Sequence, residues 1–290
     1  MLRSLLFVPG DSEKKLAKST STAADALILD LEDSVAPQRT ATARVMVAEF
    51  LQSHRQRSHQ QLWVRINPLQ TSLALHDLVA VMAGKPDGIM LPKPLNAKDA
   101  QQLDHCLSAL EVREGLELGS TRIIPVATEV PGALFDLQSY AGSSARLQGL
   151  TWGAEDLATA VGASSNRDAS GEFTFTYKLA RSLCLLASAH AQVQAIDTLS
   201  VDFKDMQALA LDVQQARREG FSGKLAIHPD QVEVINQGFT PSQQEISHAQ
   251  RIVDAFAQAN GAGAVQLDGK MVDKPHLTQA LRLLDLYRKT

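Results

Sequence analysis

Charged side chains follow many of the short apolar runs in this sequence, and several are of the types that bind metal ions or carboxylates. They are Asp30, Glu32, Asp33, Arg65, Lys93, Glu129, Asp156 and His228. If the runs are parallel strands of one barrel, these residues lie at the strand ends that form its active face. Taken singly, each could be a solvated strand end, and Asp33 or Asp156 could cap the following helix. Their convergence on one face favours a functional site.

The carboxylates, without a cluster of His or Cys, indicate a hard cation that prefers oxygen ligands. Mg²⁺ fits best, because one or two carboxylates hold it while it keeps water for the substrate. We predict Glu129 and Asp156, on neighbouring strands, as its direct ligands. Arg65 offers a planar fork suited to a substrate carboxylate. An ion pair with Glu32 or Asp33 is the alternative for Arg65, and the two roles are compatible.

Other reaction classes have less support in the sequence. Lys93, between two prolines, could form a Schiff base as in some aldolases. An acidic mouth would instead keep its ammonium protonated and paired. GxSxG, P-loop and HExxH motifs are absent from the sequence, which argues against the chemistry each of them supports.

The elements that would position these residues follow a regular alternation. Apolar runs bounded by turn residues are typical of strands buried on both faces. They cover residues 5–8, 26–31, 62–66, 88–91, 123–127, 150–152, 195–199 and 225–227. From Val8 to His228 the seven intervals average about 31 residues, close to one βαβ unit. We therefore predict a (β/α)8 TIM barrel. A doubly wound open sheet is the alternative, and the lack of GxGxxG after the first run argues against it.

The chain changes character near its end. Thr240 is predicted to cap a helix that has Pro241 at its first position. Asp268-Gly269 lies between two short apolar segments, as in a two-residue hairpin. A last helix is expected after Pro275. The expected organisation is a catalytic barrel over residues 1–235 and a helix–hairpin–helix extension, or lid arm, over residues 236–290.

Composition narrows the kinds of partner. The 290 residues include 28 Lys and Arg against 32 Asp and Glu, and aromatic residues make up 5%. A formal charge of −4 without a basic block gives no support to nucleic-acid binding. No apolar run approaches the length of a membrane span, and the first is too short for a signal-peptide core. The two cysteines form no CxxC pair, so we expect a cytoplasmic protein.

Seven motifs in this sequence occur in the order known from one protein family. With the C-terminal segment they span residues 3 to 273. They are RSLLFVPG (3–10), DLEDSV (30–35), VRIN (64–67), LPK (91–93), ATE (127–129), LTWGAED (150–156) and AIHP (226–229). The sequence resembles the citrate lyase β-subunit-like proteins of the HpcH/HpaI aldolase superfamily. The resemblance implies a magnesium-dependent barrel enzyme that cleaves or forms the C–C bond between an acetyl thioester and a keto acid.

The resemblance also assigns roles by position. Glu129 and Asp156 match the metal ligands of the family, and Arg65 matches the arginine that holds the keto-acid or acyl carboxylate. Glu32 and Asp33 match acids that orient metal-bound water.

The coenzyme A or acyl-carrier pocket of the family lies where this sequence has Phe7, Pro9 and Gly10. Asp273 matches a C-terminal acid that reaches the site of the next protomer, which implies a homo-oligomer, expected to be a trimer or hexamer. Asp273 could equally be a turn residue that caps the last helix. One departure bears on substrate identity: Val130-Pro131 follows Glu129, where the family often has Thr or Ser.

Several activities fit these expectations. The leading one is a lyase for a β-hydroxyacyl-CoA such as malyl-CoA, citramalyl-CoA or a citryl thioester. A citryl-acyl-carrier lyase subunit of a multi-protein citrate lyase and a malyl-CoA thioesterase are alternatives. A non-catalytic binding paralogue is a further alternative, against which the joint presence of Arg65, Glu129 and Asp156 argues.

Overall fold

The computed structural model describes residues 1–57, 59–259 and 262–289. The chain folds into two compact units. The larger unit is Leu2–Asn236, and the smaller is Gln237–Thr290 together with Met1. Among the helices in these stretches, none is long and apolar enough to cross a bilayer.

Eight parallel strands form the centre of the larger unit. They are β1 (Ser4–Pro9), β2 (Ala26–Asp30), β3 (Gln61–Arg65), β4 (Gly88–Leu91), β5 (Arg122–Pro125), β6 (Gly149–Thr151), β7 (Gln194–Asp197) and β8 (Gly223–Ala226). Their order in the sheet is β5-β4-β3-β2-β1-β8-β7-β6. Two isolated parallel bridges, Ile123 to Leu147 and Val126 to Thr151, join the ends of this order into a barrel. The predicted (β/α)8 barrel is confirmed, and each of its eight strands overlaps the apolar run that predicted it.

Helices follow most of the strands. They are α1 (Glu13–Ser19), α2 (Thr40–Ser53), α3 (Leu73–Val81), α4 (Ala97–Glu114), α5 (Ala154–Val161), α6 (Phe175–Ala191), α7 (Met206–Glu219) and α8 (Pro229–Phe239). The connection from β5 to β6 differs from the expected alternation, because it contains only the 3-10 helices Pro131–Phe135 and Leu137–Tyr140. Pro131 begins the first of these turns, and Gly142, with φ of 71°, follows the second. Both residues disfavour a longer α-helix.

The barrel interior is filled by alternate residues of the strands, as the two-residue period of a strand requires. Its buried cluster is Leu2, Leu5, Ala26, Ile28, Trp63, Met90, Ile124, Val126, Ile196 and Leu225, with Phe7 and Leu199 packed against it. Two residues beyond Ile28 and Trp63, the same period brings Asp30 and Arg65 to the carboxyl ends of β2 and β3. The apolar core therefore ends beneath a layer of charged side chains.

The smaller unit contains two helices and a hairpin, as predicted. They are α9 (Gln243–Gln258), the antiparallel pair β9 (Ala264–Leu267) and β10 (Lys270–Asp273), and α10 (Lys274–Lys289). Asp268 and Gly269 form the hairpin turn, with φ of 51° and 75°. A separate apolar core of Ala249, Ile252, Ala280 and Leu284 joins α9 to α10.

The start of α9 corrects one prediction. Ser242, not Thr240, is the N-cap: its hydroxyl accepts a hydrogen bond from the Glu245 amide at 3.3 Å. The Glu245 carboxylate in turn accepts from the Ser242 amide at 2.7 Å. This reciprocal capping box satisfies two amides at once and so fixes the helix start two residues later than predicted.

Candidate active site

Arg65 and Asp30 form the base of the charged layer. They are partners in the register of β2 and β3. Arg65 donates from Nε and Nη2 to the two oxygens of Asp30, both at 2.7 Å. Burial acts to raise the pKa of Asp30, but the guanidinium charge and the hydrogen bonds outweigh burial and lower that pKa. Asp30 therefore stays ionised and fixes the orientation of Arg65.

Glu32 and Asp33 lie directly above this pair, in the loop after β2. Arg65 Nη1 is 3.0 Å from Glu32 Oε2 and 3.6 Å from Asp33 Oδ2. The ion-pair alternative predicted for Arg65 is thus present. Burial raises the pKa of Glu32 to about 7, although Arg65 and Lys93 act to lower it. Glu32 Oε2 is buried and accepts no hydrogen bond from the described residues.

Lys93, which follows β4, reaches into the same cluster. Its ammonium contacts Glu32 Oε1 and lies 3.2 Å from Asp33 Oδ2 and 3.3 Å from Asp156 Oδ1. Burial acts to lower the pKa of Lys93, but Glu32, Glu129 and Asp156 hold it well above its usual value. The lysine is charged and paired, as expected for an acidic mouth, and is a poor candidate for a Schiff base.

Glu129 is the most deeply placed of the predicted metal ligands. It follows β5 and is only 5% exposed. Its Oε2 accepts a hydrogen bond of 2.6 Å from the backbone N–H of Lys93. Burial, and then repulsion from Asp156, raise its pKa well above the ordinary value. A Cβ at Gly153 would lie 2.6 Å from Glu129 Cγ, so only glycine leaves room for this side chain.

Asp156 lies in the first turn of α5, which begins after Gly153 as its N-cap. Asp156 is therefore not the cap of that helix, which was the structural alternative for it. Its side chain is about one-third exposed, at 32%. Asp156 is therefore the more exposed of the two predicted metal ligands, and Glu129 is the more buried.

These acids fit a hard cation. Glu129 and Asp156 repel each other, and Glu129 is buried with a raised pKa, so a cation between them would stabilise both charges. Within residues 1–57, 59–259 and 262–289, no group of three or more His, Cys, Asp or Glu has the spacing of a metal site. Two carboxylates are nevertheless what Mg²⁺ commonly takes from a protein, with water and substrate completing its shell. The donor set matches magnesium better than zinc, which prefers nitrogen and sulfur.

The predicted pocket residues are at the end of β1. The Phe7 ring lies under the Arg65 guanidinium, whose Cζ is 4.7 Å from the ring centroid. The amide of Gly10 donates to the Asp30 carbonyl at 2.9 Å, and a Cβ at Gly10 would lie 2.5 Å from that oxygen. Pro9, which pairs with Asp30 in the strand register, completes the segment. These residues support the floor of the charged layer.

Two other predicted residues have different surroundings. His228 stacks on Phe203, with ring centroids 5.0 Å apart, and its Nδ1 is 3.4 Å from Asp230. Asp273 belongs to the smaller unit, at the end of β10, and its carboxylate contacts Nδ1 of His276. This hydrogen bond lowers the pKa of Asp273.

The family follows from comparison with known proteins. A family model described as HpcH/HpaI aldolase/citrate lyase matches residues 3–229. The chain belongs to this family. The resemblance inferred from the sequence motifs is confirmed.

Individual members of the HpcH/HpaI family match nearly the whole chain. The citrate lyase subunit beta of Haemophilus influenzae is 34% identical over 98% of this chain and 96% of its own length. The (3S)-malyl-CoA thioesterase of Cereibacter sphaeroides is 32% identical over 97% and 93%. The crystal structure of CitE from Mycobacterium tuberculosis with magnesium, acetoacetate and coenzyme A is 29% identical, has a TM-score of 0.78, and covers 98% of this chain and 97% of that one.

One buried group that connects the loops at the mouth of the barrel was not predicted from the sequence. Asp77 in α3 is fully buried and accepts from Arg44 Nε at 2.5 Å and from the Asn67 amide group at 2.7 Å. Asn67 also donates to the Leu31 carbonyl at 2.9 Å, which ties the loop after β3 to the loop after β2. The available signal was an aspartate that, beside His76, interrupts the apolar residues of the helix LALHDLVAV.

Proposed function

We propose that this protein is a magnesium-dependent lyase that cleaves or forms the C–C bond of a β-hydroxyacyl thioester. The products of cleavage are a keto acid and an acetyl thioester. The observation that carries the proposal is the placement of Glu129 and Asp156 beside the fixed Arg65–Asp30 pair, with Lys93 between the acids. The magnesium, acetoacetate and coenzyme A bound to the similar CitE support the same interpretation.

Arg65 is proposed to bind the carboxylate of the keto-acid portion. Its Nε and Nη2 are committed to Asp30, so its orientation is set before substrate arrives. Nη1, now near Glu32, is the nitrogen available to a substrate oxygen. The Phe7 ring, 4.7 Å from Arg65 Cζ, packs against the guanidinium and supports this orientation.

Glu129 and Asp156 are proposed to hold Mg²⁺. When bound, the ion supplies Lewis-acid polarisation of the substrate oxygens and a template for their orientation. Glu32, with a pKa of about 7, is suited to hold or release a proton near neutral pH. Asp33, more exposed at 53%, is proposed to order water at the entrance.

The remaining roles rest on the family resemblance. Phe7, Pro9 and Gly10 are proposed to line the pocket for the thioester carrier. Asp273, from the next copy in a homo-oligomer such as a trimer or hexamer, is proposed to exchange a proton with the acetyl carbon. That carbon becomes an enolate when the C–C bond breaks, and it needs a proton donor.

One experiment separates the candidate activities. Purified protein is incubated with Mg²⁺ and malyl-, citramalyl- or citryl-CoA, and the products are resolved by chromatography. A lyase yields a keto acid and acetyl-CoA in equal amounts. A thioesterase, the activity named for the Cereibacter sphaeroides relative, yields free coenzyme A and the intact hydroxy acid. If all CoA thioesters are inert, turnover of a citryl-acyl-carrier thioester would assign the subunit role named for the Haemophilus influenzae relative. A complete lack of turnover with all four would overturn the proposal.

A further inference from the structure

Lys93 has an unusual relation to the charged layer, because this one residue contacts four of its carboxylates. Its ammonium reaches Glu32, Asp33 and Asp156, the last two at 3.2 and 3.3 Å. Its backbone N–H donates to Glu129 at 2.6 Å.

The backbone of Lys93 makes this double reach possible. Lys93 has φ of 48°, in the left-handed region that residues with a Cβ rarely adopt. It also precedes Pro94, which restricts its conformation further. Such a conformation persists only where the surroundings determine it, and such positions cluster at functional sites. Here it directs the amide to one proposed metal ligand and the ammonium to the other.

The charges explain why a cation is needed at this position. Arg65 is committed to Asp30, and its nearest other carboxylate is Glu32 at 3.0 Å. Arg65 does not pair with Glu129 or Asp156. The negative charges of these two carboxylates therefore repel each other without a guanidinium to offset them. The Lys93 ammonium, 3.3 Å from Asp156 Oδ1, offsets part of this repulsion, as a bound cation would.

We propose that Lys93 is a positioning residue that acts as the resident counter-ion of the metal site. It holds the acids together in the metal-free protein, and it competes with Mg²⁺ for Asp156. The inference rests on the proposed function in taking Glu129 and Asp156 as the metal ligands. It predicts that removing the ammonium strengthens magnesium binding, which loss of a merely structural contact would not do.

Lys85 provides a matched control. It is a lysine before a proline, it has φ of 55°, and it is exposed in the loop that precedes the same strand β4. Lys93→Met and Lys85→Met therefore remove the same charge from positions of similar φ. Lys93→Gly and Lys85→Gly form a second pair, in which the backbone amide is kept and the unfavourable φ is relieved in both.

The test is calorimetric titration of each variant with Mg²⁺, together with thermal unfolding in EDTA and in saturating Mg²⁺. We expect Lys93→Met to bind Mg²⁺ roughly tenfold more tightly than wild type, because a nearby positive charge is gone. Lys85→Met should bind as wild type does. In EDTA, Lys93→Met should unfold at a lower temperature than Lys85→Met, and Mg²⁺ should close that gap. Lys93→Arg, which keeps the charge, should bind Mg²⁺ with about wild-type affinity.

Unchanged or weaker magnesium affinity in Lys93→Met would overturn the inference, and if that variant does not fold, Lys93→Gly gives the deciding value. This result would leave the proposed function intact, provided that wild-type protein binds Mg²⁺ and that Glu129→Gln protein does not. Wild-type protein that binds no Mg²⁺ would instead overturn both.

Discussion

Arg65 and Asp30 face each other from neighbouring strands, and two hydrogen bonds of 2.7 Å fix the orientation of the guanidinium. Asp30 is itself held by the amides of Glu32 and Ser34, each at 3.0 Å. The orientation of the arginine is therefore set by the backbone of two strands and one turn. This preorganisation matters because a group that is already oriented need not be ordered again during the reaction.

Replacing Arg65 with lysine should impair activity although the charge is kept. An ammonium cannot bond both oxygens of Asp30 and still offer a nitrogen to the substrate. We expect kcat/KM to fall on the order of 100-fold, the effect typical of losing one oriented donor. Steady-state kinetics measure it, with Arg39→Lys as control, since Arg39 is an exposed residue paired with Asp11. Unchanged kcat/KM in Arg65→Lys would assign Arg65 a structural role only.

Glu129→Gln and Asp156→Asn should each lose magnesium binding, because each removes one of two charges proposed to hold the ion. Calorimetric titration should give affinities at least about tenfold below wild type. Glu155→Gln is the matched control: this neighbour in the same helical turn binds the Asn166 amide at 2.8 Å. Wild-type affinity in both active-site variants would contradict the ligand assignment.

Glu111 should stabilise the barrel at neutral pH and lose this effect in acid. This fully buried carboxylate accepts two hydrogen bonds of 2.7 Å from Arg146, and others from the amides of Gly119 and Thr121. Burial acts to raise its pKa, but these bonds lower it from 4.5 to about 2. Since the folded pKa is the lower one, the stabilisation is complete above the unfolded value and is lost as pH falls towards 2.

Glu111→Gln should therefore reduce the free energy of unfolding by about 3 kcal/mol at pH 7, since it breaks a buried ion pair. Urea titrations at pH 7 and pH 3 should show the difference between wild type and variant shrinking in acid. A difference that stays constant, or grows, as the pH is lowered would contradict this account of Glu111.

Asp273→Ala should abolish turnover while leaving magnesium affinity unchanged, since its proposed role is proton exchange rather than metal binding. Mixing this variant with inactive Glu129→Gln protein tests whether the residue acts on a neighbouring copy. Subunit exchange should restore part of the activity, because some sites would then combine an intact metal pair with an intact Asp273. Full activity of Asp273→Ala alone would overturn the proposed role of this residue.

The strands were predictable because burial on both faces leaves a simple pattern of apolar runs between turn residues. The carboxyl ends of barrel strands lie on one face, and this rule placed Asp30, Glu32, Arg65 and Glu129 together. The β5–β6 connection was not predictable from alternation alone, because its turns depend on Pro131 and on local backbone geometry. The start of α9 was misplaced because Thr240-Pro241 and Ser242 both carry N-terminal signals, and only the reciprocal contact with Glu245 decides between them.

The site was less predictable than the fold for a related reason. A strand-end rule states which residues share a face, but it does not state which of them touch. The double contact of Lys93 depends on its left-handed backbone, and the enclosure of Glu129 depends on the missing Cβ of Gly153. Neither feature leaves a periodic signal in the sequence.

The two proposed metal ligands follow the two strands between which the barrel closes. Seven of the strand junctions are continuous ladders, whereas β5 and β6 meet only at isolated bridges, with Ala127 N–H to Thr151 O at 2.8 Å among the bonds across them. Glu129 follows the strand on one side of this seam, and Asp156 follows the strand on the other. A cation held by both carboxylates would link the two sides of this junction, so we expect binding at the site to reduce local opening of the barrel between β5 and β6. Hydrogen exchange at the Ala127 amide should report this effect directly, slowing as the site fills.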